Sequence, residues 1–233
     1  MKGKGNQLKY RVLAAIISLL LIPGLSLSQS NQYDSEGRKH GEWVEKWSNG
    51  NLKMRGTFEH GIPTGELVKY DKNFNIEVKY IFQENDSVLV TFYHPNGKTM
   101  SEGVYVDQKK QGLWRTFDYY GDLLSIANYV NDELHGEYRV FYPGGALMRK
   151  TEYLANQETG LRVDYYEDGT VKFHGHVVDG KPEGKARFNF PDGKPMLTGS
   201  YANEQRVGIW LRYNEDGSLK EKIEYVNGIP KDY

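Results

Sequence analysis

The chain of 233 residues contains no cysteine. That excludes a disulfide framework, a thiolate metal site and a cysteine nucleophile. Neither sign of charge is in excess, with 30 Lys+Arg against 31 Asp+Glu. The patterns G-x-S-x-G, H-E-x-x-H and G-x-x-x-x-G-K-[ST] are all missing. The sequence therefore lacks a nucleophile elbow, a zincin helix and a phosphate-binding loop. Its acidic residues are scattered, and spacing holds no two of them together for acid–base work. Long apolar runs are also missing, apart from one near the N-terminus.

That run is the middle of a three-part pattern. "MKGKGNQLKYR" is basic, "VLAAIISLLLIPGL" is apolar, and Ser26 and Ser28 stand at −3 and −1 of a cut before Gln29. The expectation is a secretory signal peptide over 1–28, followed by a short linker over 29–36. An uncleaved membrane anchor is the weaker alternative, because the run is short for a span. No cysteine follows it, so a lipoprotein anchor is excluded. Cleavage would remove Lys2, Lys4, Lys9 and Arg11, leaving 26 Lys+Arg against 31 Asp+Glu, a net charge of −5. This balance argues against nucleic acid or an anionic membrane surface as partner, since both need a positive footprint. The expected location is periplasmic or extracellular.

Glycine (26) and tyrosine (18) are abundant, which favours turns and half-buried strands. With Gly41 as position zero, equivalent residues are Gly65, Val88, Gly112, Gly136, Gly160, Gly184 and Gly208. Every interval is 24 residues except the one ending at Val88, which is 23. Eight copies fill 37–233 and leave no room for another domain. At position nine stand Gly50, Gly97, Gly121, Gly145, Gly169, Gly193 and Gly217, with Phe74 breaking the series in the second copy. Asn-Gly and Asp-Gly here signal tight hairpin turns with two central residues at positive φ. Phe74 implies a different turn in its copy.

A turn at positions eight and nine makes cross-strand partners sum to 17. Position two, with Trp43, Trp114 and Trp210 among its members, then faces position fifteen, where Gly56, Ala127 and Ile223 stand. A ring over a residue with little side chain is the expected pairing, and Trp210 opposite Ile223 departs from it. Consecutive hairpins give an all-β fold: an elongated, twisted antiparallel meander of about sixteen strands.

The unit "GEWVEKWSNGNLKMRGTFEHG" and its copies resemble the MORN repeat, and more closely the bacterial MORN-variant repeat. Bacterial proteins of this kind are often labelled toxin–antitoxin system YwqK family antitoxins. The resemblance implies a β-hairpin repeat fold and, through that label, an inhibitor of a partner toxin.

Site candidates are few. His174 and His176 share a strand face, but no third ligand is fixed near them, so no metal and no cofactor is expected. Position five carries a stripe of rings, namely Tyr70, Tyr93, Phe117, Phe141, Tyr165 and Tyr213, broken by Lys46 and Asn189. Its parity places it on the face opposite the position-two rings. The stripe is either packing in a thin second layer, the preferred reading, or a ladder for an extended partner. Together these features indicate an exported, non-enzymatic binding or scaffold surface for a protein or extended polymer. The alternatives are an antitoxin-like inhibitor and, more remotely, a carbohydrate-active enzyme.

Overall fold

The computed structural model describes residues 30–231, so the expected signal peptide and its cleavage site lie outside the described residues. The chain is all β. The first half holds β1 (Gln32–Tyr33), β2 (Lys39–Lys46), β3 (Leu52–Glu59), β4 (Ile62–Tyr70), β5 (Ile76–Phe82), β6 (Ser87–Tyr93), β7 (Thr99–Val106), β8 (Lys109–Phe117) and β9 (Leu123–Val130). The second half holds β10 (Glu133–Phe141), β11 (Leu147–Leu154), β12 (Gln157–Tyr165), β13 (Val171–Val178), β14 (Lys181–Asn189), β15 (Pro195–Ala202), β16 (Gln205–Tyr213), β17 (Leu219–Val226) and β18 (Ile229–Pro230). Each strand pairs antiparallel with its neighbours in sequence, in one open 18-stranded sheet. The two strands beyond the expected sixteen are the short ones at the ends. β1 lies inside the segment read from sequence as a linker, and it pairs with Lys39 and His40 of β2.

The cross-strand arithmetic holds in all eight repeats. Trp43 faces Gly56, Trp114 faces Ala127 and Trp210 faces Ile223. After position four the register slips, so position five faces eleven and the residue at twelve is left over, as at Met100, Leu124 and Met148.

The turn chemistry differs from the sequence expectation. At the central turn only the position-nine residue has positive φ, as at Gly50 (86°) and Gly121 (90°); the fifth repeat, with Gly144 and Gly145, is the exception. The Gly50 N–H donates to the Trp47 carbonyl, and the Trp47 N–H to the Asn51 carbonyl. This is a type I turn closed by a left-handed residue, so Asn or Asp before the glycine caps the turn and does not need positive φ. Asn49 does so by accepting from the Asn51 N–H. The second repeat does not use a different turn: Phe74 sits at φ 70° in the same hydrogen-bond frame, its ring stacked on Tyr70 at 5.2 Å. The paired positive-φ turns lie instead between repeats, at His60-Gly61, Asp107-Gln108 and Asn131-Asp132 among others.

Just beyond each of those turns, the position-zero glycine bulges the strand. Thr57 faces Thr64 while Gly56 faces Leu67, and Gly65 between them has φ 62°. The junction of the second and third repeats breaks this rule. There the interval is one residue short and Val88 replaces the glycine. β5 and β6 accordingly pair without any register shift.

Candidate binding surface

One face of the sheet carries the position-two residues. Trp43, Leu67, Val90, Trp114, Ala186 and Trp210 are buried there, although no helix or second sheet covers them among the described residues. The sheet hides them under its own side chains. The Trp rings also cover glycines, but by leaning over the preceding repeat. A Cβ on Gly103 would lie 2.3 Å from the Trp114 ring, and one on Gly199 2.1 Å from Trp210. Trp210 therefore needs no small residue in its own hairpin, which explains Ile223. The indole N–H groups follow the same lean: Trp114 donates to the Val104 carbonyl (3.3 Å) and Trp210 to that of Ser200 (3.1 Å). The buried Trp43 indole N–H has no hydrogen-bond acceptor among the described residues.

Above each position-two tryptophan lies a cation from four residues upstream. Lys39 Nζ sits 4.7 Å from the Trp43 ring centre, Lys110 Nζ 4.5 Å from that of Trp114, and Arg206 Cζ 4.6 Å from that of Trp210. Each also contacts the position-seventeen ring of that tryptophan's own repeat: Phe58, Tyr129 and Tyr225. Such contacts contribute roughly 0.5–2 kcal/mol each. The sequence reading missed these cations, although the spacing [KR]-x-x-x-W marks all three. Where position two is Arg162 the polarity inverts. Glu158 occupies the upstream slot and accepts from the Thr151 hydroxyl (2.8 Å), while Arg162 pairs with Asp164 (2.9 Å).

The position-five stripe lies along the opposite edge, next to the central turns. Tyr70 is buried, and Tyr93, Phe117, Phe141, Tyr165 and Tyr213 are half-buried. Position six of one repeat ties down the position-five carbonyl of the next. The Trp47 indole N–H donates to Tyr70 (3.0 Å) and the Tyr142 hydroxyl to Tyr165 (2.9 Å). His94 Nε2 lies 3.2 Å from the Phe117 carbonyl, and the Tyr166 hydroxyl donates to Asn189 (2.9 Å). These bonds link neighbouring repeats along that edge.

His174 and His176 both stand on β13, opposite Arg187 and Glu183 respectively. Among the described residues no three His, Asp or Glu side chains gather as metal ligands. No helix there is long and apolar enough to cross a membrane.

The family model of the MORN repeat variant matches residues 39–60, 88–107, 134–155 and 206–227. Each match begins at position zero or two residues before it and runs through a central turn to the next connection. The chain is a MORN-repeat protein. MORN repeats are in general modules that bind proteins or membrane lipids, and are typically not catalytic. No curated protein matches the chain. Among solved structures, a complex of a mutant TarM of S. aureus with fondaparinux, alpha-GlcNAc-glycerol and UDP is similar over 51% of this MORN protein, at 11% identity and TM-score 0.32. A TcdB2-TccC3-TEV structure is similar over 86%, at 13% identity and TM-score 0.25. The matches span only 21% and 14% of those two chains.

Proposed function

We propose that this MORN protein is an exported, non-enzymatic binding surface for a protein or an extended envelope component. One observation carries the reading. A single sheet, covered by no other layer among the described residues, presents rings in series along one face, and the rings at position seventeen (Phe82, Tyr105, Tyr129, Tyr153, Tyr201 and Tyr225) remain half-exposed. A large, regularly spaced apolar face that no layer of the fold covers is characteristic of a binding surface. Repeats also extend such a face without changing its chemistry, which suits an elongated partner. Export is supported by the basic, apolar and Ser-x-Ser segments of the first 28 residues.

The test is to express the full chain with a C-terminal tag in its host, fractionate the cells and identify what co-purifies. Recovery of a processed chain outside the cytoplasm with an envelope protein or polymer is the expected result. A single stoichiometric toxin partner in the cytoplasm would favour the antitoxin-like reading instead. An unprocessed cytoplasmic chain with no partner would overturn both.

A further inference from the structure

The short interval before Val88 has a consequence on the ring-bearing face. Opposite several position-seventeen rings the residue is long or bulky, whereas prolines stand opposite Phe58 (Pro63) and Tyr225 (Pro230). Lys110 faces Tyr105, Arg206 faces Tyr201 and Leu134 faces Tyr129. Opposite Phe82 stands Val88, because the bulge that would insert two more residues is missing. Position two of the same repeat is Val90, much smaller than tryptophan. Neither an indole nor a cation of the third repeat fills this place.

A groove of about 920 Å³ opens there. Its lining includes the half-buried rings of Tyr80, Phe82, Phe92 and Tyr105. The volume is in the range of ligand-binding clefts. Glu84, Asp86 and Asp107 also line it; they are exposed and form no ion pair among the described residues. Lys69 also lines it, with its Nζ 5.5 Å from the Tyr80 ring centre, and Lys110 of the next strand faces Tyr105. Ring faces attract cations through their quadrupole, and unpaired carboxylates add to that attraction.

We propose that this groove binds an arginine or lysine side chain of a partner polypeptide, seated over Tyr105 and Phe82 as Lys110 and Arg206 sit over rings in their own repeats. The first, fourth and eighth repeats supply their own cation. In the third repeat the equivalent slot holds Asp86, so its rings and carboxylates have no cation from that position. The proposal rests on the binding-surface reading and names the chemistry of one partner contact. A neutral saccharide would use the rings but has no need of three unpaired carboxylates.

The experiment uses the full chain and a fluorescein-labelled peptide of alternating arginine and leucine, followed by anisotropy at two salt concentrations. Binding that weakens with salt is expected, as is its loss when citrulline replaces arginine. The combined variant Glu84→Gln, Asp86→Asn, Asp107→Asn should weaken it at least about tenfold. Val88→Lys should abolish it by placing an internal ammonium opposite Phe82, with unchanged circular dichroism and melting temperature. Equal peptide affinity in the parent chain and Val88→Lys would overturn the proposal. So would no binding by the parent chain, or maltotriose binding that competes with the peptide. A natural partner that binds the whole chain and ignores all these variants would likewise overturn the groove, while leaving the binding-surface reading intact.

Discussion

The eighth repeat and the junction of the second and third are built on one pattern, yet only the eighth fills its space. In the eighth, Trp210 is 1% exposed, lies over Gly199, donates to the Ser200 carbonyl and carries Arg206 above it. At the junction, a phenylalanine stands at the turn glycine, a valine at the bulge glycine and another valine at the tryptophan position. Val90 is equally buried, at 1% exposed. The strands still pair in both places. Backbone pairing in this fold thus tolerates the loss of its signature residues, whereas the topography of the ring-bearing face does not. A periodic sheet can acquire a recess by losing one residue, because neighbouring repeats hold the strands in place.

The largest expected effect is in the filled repeat. Trp210→Ala removes a fully buried ring that covers a glycine and should cost about 3–5 kcal/mol in denaturant unfolding. Val90→Ala removes far less volume and should cost clearly less. Equal losses would mean that the two repeats are filled alike. Gly199→Ala should come next, at about 1–3 kcal/mol, because the new methyl would lie 2.1 Å from the indole and the ring must move. The same change at Gly56 meets Leu67 at 3.2 Å, where a small displacement suffices, so it should cost less.

Arg206→Gln probes the cation above Trp210. Arg206 also donates to the Tyr225 hydroxyl at 3.2 Å. The expected loss is about 0.5–2 kcal/mol, read as a lower melting temperature. Val88→Gln at the vacated slot should leave stability nearly unchanged. A loss at Val88 matching that at Arg206 would show that the junction is packed, not open.

Much of the fold was legible because period and turn residues are local signals. The 24-residue spacing and the position-nine glycines set the strand pairs, so Trp43–Gly56 and its equivalents could be read directly. The turn type was less legible. Asn-Gly is compatible with two geometries, and the neighbouring register slip, which sequence does not announce, selects the one in which Asn49 caps and Gly50 alone is left-handed. The lean of the rings was also hidden. A strand has two neighbours, and pairing arithmetic within one hairpin ignores the other, which is where Trp114 and Trp210 lie. The groove was in view as an interval of 23 but had no meaning until Val88 was seen opposite Phe82.

The smallest effect concerns Phe74, the counterpart of Gly217 in the regular repeat. At φ 70° a phenylalanine carries about 1–2 kcal/mol of backbone strain, which glycine at φ 90° avoids. Its ring offsets part of that by stacking on Tyr70, 5.2 Å away and 7° from parallel, worth about 0.5–1.5 kcal/mol. Phe74→Gly releases the strain, loses the stack and adds freedom to the unfolded chain, so the net change should stay within about 1 kcal/mol. Phe74→Ala keeps the strain and loses the stack, so it should be the less stable of the two variants. Comparing their unfolding midpoints isolates the left-handed cost from the ring contact. If alanine proved more stable than glycine here, backbone strain would not be what separates this turn from the seven that carry glycine.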